Sequence, residues 1–169
     1  IQSCESEIIM SYAIYLQQQN DRNLMKIKHL YERALSQSPN NPTYLASYAL
    51  FLDGDLNDHT AAKDKFEASL KIDPDNATTL TSFAATLMKS KEEREAGRIE
   101  ELYRHALEIE PENELTLIAY GQFLQLFHQD LQGARDRYYQ SIPITRWQPN
   151  CLTKQASSHI PKTRLDAGI

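Results

Sequence analysis

Apolar and polar positions alternate along most of this chain with the spacing of packed helices. Ile8, Ile9, Tyr12, Ala13 and Leu16 fall at i, i+1, i+4, i+5 and i+8, one stripe of an amphipathic helix over residues 5–18. Asn20 and Asp21 break the pattern. Leu24, Ile27, Leu30, Tyr31, Ala34 and Leu35 then predict a second helix over 24–37. The stretch 38–42 (SPNNP) ends it, and Pro42 is suited to open the next helix at its first turn. The same two-helix unit follows three more times. Leu45, Tyr48, Ala49 and Leu52 pair with Ala62, Phe66, Ser69 and Leu70. Leu80, Phe83, Ala84 and Leu87 pair with Ile99, Tyr103, Ala106 and Leu107. Leu117, Tyr120, Gly121 and Leu124 pair with Ala134, Tyr138, Ser141 and Ile142.

The repeat has a measurable period. Tyr31, Phe66, Tyr103 and Tyr138 open homologous stretches and stand 35, 37 and 35 residues apart. A fixed period in that range marks stacked helical repeats. Small residues recur where helices must approach: Ala13, Ala49, Ala84 and Gly121 on the first helices, and Ala34, Ser69, Ala106 and Ser141 on the second. Large residues beside them can fill the space over a small neighbour. The predicted fold is all-α, with repeats over 5–39, 42–74, 77–111 and 114–142. Two prolines, Pro143 and Pro149, and the loss of helical period make 143–169 an irregular or disordered tail, with Trp147 able to pin it to the last repeat.

These residues resemble the tetratricopeptide repeat family. Its pattern of a large residue, Leu, Gly or Ala and Tyr on helix A, then Ala, an aromatic, Ala and Pro on helix B, reads here as Leu45, Tyr48, Ala49, Leu52, Ala62, Phe66, Ser69 and Pro74. The first repeat keeps the helix B spacing as Ile27, Tyr31, Ala34 and Pro39, and the third replaces the first Ala by Ile99. Helix A carries Ile or Leu where the family often has Trp, and the A–B turns are longer than in the family's 34-residue unit. The run Tyr-Glu-Arg-Ala-Leu at 31–35 is similar to the half-a-TPR variant of RNA-processing assemblies. The resemblance covers about residues 5–142 and implies a right-handed α-solenoid of stacked antiparallel helix pairs. It implies a binding scaffold rather than an enzyme.

Charge sharpens this picture. The net charge is −5, but residues 1–142 hold 14 Lys/Arg against 22 Asp/Glu, whereas 143–169 hold 4 against 1. Acidic repeats argue against direct nucleic-acid contact, which needs a basic stripe. No apolar run approaches the ~18–20 residues of a membrane span. Cys4 and Cys151 give neither a disulfide framework nor a zinc pattern, so a reducing, intracellular setting in cytoplasm or nucleus is expected. A first residue other than Met reads as a segment of a larger chain or complex.

Candidate chemistry is sparse. Asp53-Gly54-Asp55-Leu56-Asn57 opens like a calcium loop, but the sixth position is Asp58 instead of Gly and the twelfth Asp64 instead of Glu. It reads as the A–B turn, with Asp58 or Thr60 as helix cap. His29, His59, His105, His128 and His159 lack ligand spacing, and no phosphate loop, nucleophile elbow or HExxH occurs. No cofactor and no metal is expected. Asn76-Ala77-Thr78 fits a glycosylation acceptor but reads as a turn with Asn76 as cap. In the charge run 89–98, Glu95, Arg98, Glu101 and Arg104 are placed to pair.

What the resemblance adds is a concave groove lined by the A helices. Carried over by position it shows Met10, Ile14, Thr43, Ala46, Leu50, Thr78, Thr81, Ala85, Met88, Leu115, Ile118 and Gln122. Chaperone-binding members place Lys, Asn and Arg there to clamp a peptide's terminal carboxylate. None of the twelve is a cation, so a carboxylate brought here loses water without a charged partner, at several kcal/mol. An apolar, hydroxyl-dotted groove suits an amphipathic helix or an extended peptide with apolar anchors. The chain's own tail or a further repeat could fill it equally. The expected function is a protein–protein interaction scaffold. A subunit of an RNA-processing assembly and a regulatory module of a larger protein are the alternatives.

Overall fold

A computed structural model describes residues 2–19, 23–90 and 95–142. They form eight α-helices: α1 (Gln2–Gln18), α2 (Leu24–Gln37), α3 (Pro42–Gly54), α4 (His59–Ile72), α5 (Ala77–Ser90), α6 (Ala96–Ile109), α7 (Glu114–Phe123) and α8 (Leu131–Gln140). No strand occurs among the described residues. The predicted tail and the turns at 20–22 and 91–94 lie outside them. Each odd helix packs on the even helix that follows, and each pair packs on the next pair, giving the expected all-α solenoid.

Local chemistry explains where the helices start. Six of them begin behind an Asn or Asp whose side-chain oxygen accepts the backbone N–H three residues on. Asn23, Asn41, Asp58, Asn76, Asn113 and Asp130 do so at 2.9–3.2 Å. Each such cap satisfies a donor that the helix leaves open and stabilises by about 1 kcal/mol. Asp58, rather than Thr60, caps α4. Pro42 sits in the first turn of α3, as its fixed φ allows.

The core is a ladder of aromatic rings that crosses the repeats. Tyr31 on α2 stacks on Tyr48 of α3 at 5.4 Å between centroids, Phe66 on α4 on Phe83 of α5 at 5.5 Å, and Tyr103 on α6 on Tyr120 of α7 at 5.7 Å. The near-constant spacing means that one junction is built three times. The small residues Ala34, Ala49, Ala84 and Ala106 are fully enclosed beside these rings. At Gly121 the ring of Tyr138 fills the space a side chain would need. A Cβ there would stand 2.7 Å from its Cε1.

The structure departs from the sequence reading in several places. The helix α3 runs on through Gly54, so Asp53, read as a turn residue, is helical and buried. The helix α7 continues into one π-helical turn, Leu124–His128, which ends at Gln129 with φ 52°. The helix α8 stops at Gln140, which leaves Ile142 exposed instead of packed. Charges at the start of α6 pair between helices rather than along one. Lys63 meets Glu95 at 3.0 Å and Arg98 meets Glu67 at 2.9 Å, both linking α4 to α6.

Candidate functional site

The four odd helices touch one another in sequence, α1 to α3, α3 to α5 and α5 to α7, and so form one continuous layer. Two hollows open on it. The first, about 440 Å³, lies among α1, α2 and α3 and is lined by Ile14, Gln17, Gln18, Tyr31, Ser47, Leu50 and Asp55. The second, about 290 Å³, lies between α3 and α5 and is lined by Thr43, Ala46, Ser47, Leu50, Asn76, Thr78, Thr79 and Ser82. They share Ser47 and Leu50, so together they make one trough that crosses α3.

Of the predicted groove residues, Ile14, Thr43, Ala46, Leu50 and Thr78 line this trough. Thr81, Ala85 and Met88 are half-buried on α5. Thr81 is bonded to the Thr116 hydroxyl at 2.7 Å, and the Met88 sulfur accepts the Tyr103 hydroxyl at 3.2 Å. Leu115 (76 % exposed), Ile118 (39 %) and Gln122 stand free on α7, beyond the two hollows. Met10 is a correction. It is 3 % exposed, and its flexible thioether chain packs into the core with Ile9 and Ala13, so no ligand can reach it.

Sequence reasoning missed Gln17, Gln18, Ser47 and Asp55. They are polar residues on the groove side of helices whose apolar stripe carried the reading, and Asp55 was absorbed into a turn. Two of them, Gln17 and Asp55, are linked with Tyr31 into one chain of hydrogen bonds. Tyr31 donates its hydroxyl to Gln17 Oε1 at 2.8 Å, and Gln17 Nε2 donates to Asp55 Oδ2 at 2.6 Å. Burial of Tyr31, helped by the charge of Asp55, raises its pKa well above the usual phenol range. The hydroxyl therefore stays a donor and holds the Gln17 amide with its nitrogen towards Asp55. Among the described residues that line the trough, the one charged side chain is thus a carboxylate, and none is Lys or Arg.

A second polar cluster lies at the α3–α4 turn. Asp53 accepts from His59 Nδ1 at 2.7 Å, from Lys89 Nζ and from Thr86. Burial alone would raise its pKa, but these donors outweigh burial and hold it below the ordinary carboxylate range. This cluster ties α3, α4 and α5 together, which is a structural task. Asp53, the first residue of the stretch that opens like a calcium loop, is thus bonded to protein donors. No group of three metal-ligating side chains occurs among the described residues. His105 meets Asp75 at 3.0 Å and His128 meets Glu100 at 3.7 Å, contacts that join neighbouring elements.

No family model and no curated protein matches this chain. Solved structures do. The MamA RS-1 ArsTM double mutant is similar over 91 % of this chain and 77 % of its own, at 14 % identity and a TM-score of 0.67. The pilF of Pseudomonas aeruginosa matches over 84 % and 78 %, at 13 % identity and a TM-score of 0.49. Another MamA structure matches over 94 % and 98 %, at 12 % identity and a TM-score of 0.46. The first likeness, with the helix pairs and the ladder, defines a tetratricopeptide-like repeat fold. Identity this low speaks for the fold alone.

Proposed function

We propose that this chain is a protein-interaction scaffold whose layer of odd helices receives a peptide or helix from a protein partner. The observation that carries the reading is the trough itself: two hollows joined at Leu50, a residue 45 % exposed in the middle of an otherwise packed helix. Large apolar side chains at regular helical spacing on one exposed face are what an amphipathic ligand buries. The hydroxyls of Thr43, Ser47, Thr78 and Ser82 and the amides of Gln17 and Gln18 offer hydrogen bonds along the way. Asp55 favours a ligand that brings a cation or an N–H donor there. It disfavours a terminal carboxylate, which would meet like charge in a partly dry site.

The test replaces Leu50 by Lys. Partners captured from cell extract by the parent chain should bind the variant at least about tenfold more weakly, a loss near 1.4 kcal/mol. Unchanged helicity by circular dichroism shows that the fold holds. A control on an even helix, Glu108→Lys at an exposed position of α6, should bind as the parent does. Equal binding by parent and Leu50→Lys would end the proposal.

A further inference from the structure

The trough is polarised along its length. Its first hollow is lined by Gln17 and Gln18, the last two residues of α1, and by Asp55, which directly follows α3. Two helices thus bring their carbonyl ends, the negative ends of their dipoles, to one hollow. Neither has a base in its last turn to offset that charge. The carboxylate is also held in place. Tyr31 donates to Gln17 Oε1, which commits the Gln17 nitrogen to Asp55 Oδ2 at 2.6 Å. Among the described residues, Asp55 Oδ1 has no hydrogen-bond partner and no cation pairs with the carboxylate. Buried acids elsewhere in the chain are met by cations: Asp53 by His59 and Lys89, and Glu95 by Lys63. Asp55, half-buried in a hollow of about 440 Å³, departs from that pattern.

The second hollow has a different chemistry. None of its described lining residues is charged. Asn76 is committed there, since it caps Thr79 and donates to Asp73. That leaves the hydroxyls of Thr43, Thr78 and Ser82 to face a ligand. Leu50, shared by both hollows and 45 % exposed, stands between the acidic end and the hydroxyl end. From Thr43 to Asp55 the helix α3 rises about 18 Å, at 1.5 Å per residue. An extended peptide of roughly five or six residues spans that length.

We propose that the trough selects a protein segment with a Lys or Arg at one end and an apolar side chain beside it, the cation seated on Asp55 and the apolar group on Leu50. The inference rests on the scaffold reading and adds to it the chemistry and the direction of the ligand. A cation in the first hollow gains a preoriented carboxylate and two helix ends, whereas the second hollow offers a cation no charge, so the reversed segment binds more weakly.

The test uses a displayed library of random twelve-residue peptides, selected on the immobilised full chain. Recovered peptides should be enriched in Lys or Arg on one side of an apolar residue, and Leu50→Lys should abolish their binding. For a synthetic peptide from the selection, Asp55→Asn should weaken binding about tenfold. Replacing the peptide's base by Gln should weaken it to a similar degree on the parent chain and hardly at all on Asp55→Asn, the coupling expected of a direct pair. The Gln peptide on the parent chain carries the comparison even if Asp55→Asn were less stable. Peptides that need Leu50 but show no basic preference, or whose base is uncoupled from Asp55, overturn this inference and leave the scaffold reading standing. Peptides indifferent to Leu50→Lys overturn both. An empty selection, as filling of the trough by the chain's own basic residues 143–169 would cause, overturns the proposal of an outside segment.

Discussion

Replacing Phe66 by Ala is expected to lower stability by about 3–5 kcal/mol, the usual cost of removing a buried aromatic ring from a core that collapses only partly. Phe66 is fully buried at the middle of the chain, and its ring stacks on Phe83 across the junction of the second and third repeats. In a solenoid each repeat contacts only its neighbours, so a damaged junction cannot be compensated from elsewhere. Native domains hold about 5–15 kcal/mol in all, so this loss is a large share. The melting temperature should fall by roughly 10 °C, at the 2–4 °C per kcal/mol typical of chains this size. The transition should also broaden or split, as the halves before and after the junction lose their coupling. Met25→Ala, at a site 70 % exposed, should change stability by less than about 0.5 kcal/mol. A thermal melt of the three proteins checks both.

Asp53→Ala is expected to cost about 2 kcal/mol near neutral pH. Removing a carboxylate that receives several donors forfeits charge-assisted bonds, each worth about 1.5–3 kcal/mol net. The loss is moderated because the side chains of Lys89 and His59 are 50 % and 42 % exposed and return to water. The pH dependence follows from the direction of the Asp53 shift. Its folded pKa lies below the ordinary value of about 3.9, so the carboxylate contributes stability above that value and loses it as pH falls through the folded pKa. Denaturant melts should therefore show a gap between parent and variant that is open above the ordinary carboxylate range and closes in acid. A gap that widened in acid would mean that Asp53 is protonated in the native state.

The repeat was legible because its signal lies in packing residues. Tyr31, Phe66 and Tyr103 fill one recurring space, and the Asn and Asp caps mark the helix starts in plain turn chemistry. The same dominance hid other features. Asp53 sits in the sequence D-G-D-L-N, which reads as a turn, yet Phe51 and Leu52 hold α3 helical past it, and Lys89, 36 residues on, supplies its partner. Nothing local signals that contact. Met10 occupies a groove register, but a long unbranched side chain can lie down into the core where Ile118, at the equivalent place on α7, stays 39 % exposed. Asp55 and Gln17 gain meaning only from the hydrogen bond between helix α1 and the α3–α4 turn.

If partners bind the layer of odd helices as proposed, hydrogen–deuterium exchange of the chain alone and with a captured, purified partner will register it. Added protection should fall on α3 around Leu50 and on the facing segments of α1 and α5, with α4 and α6 unchanged. Protection confined to α2, α4 and α6, with the region around Leu50 exchanging as in the free chain, would contradict the claim.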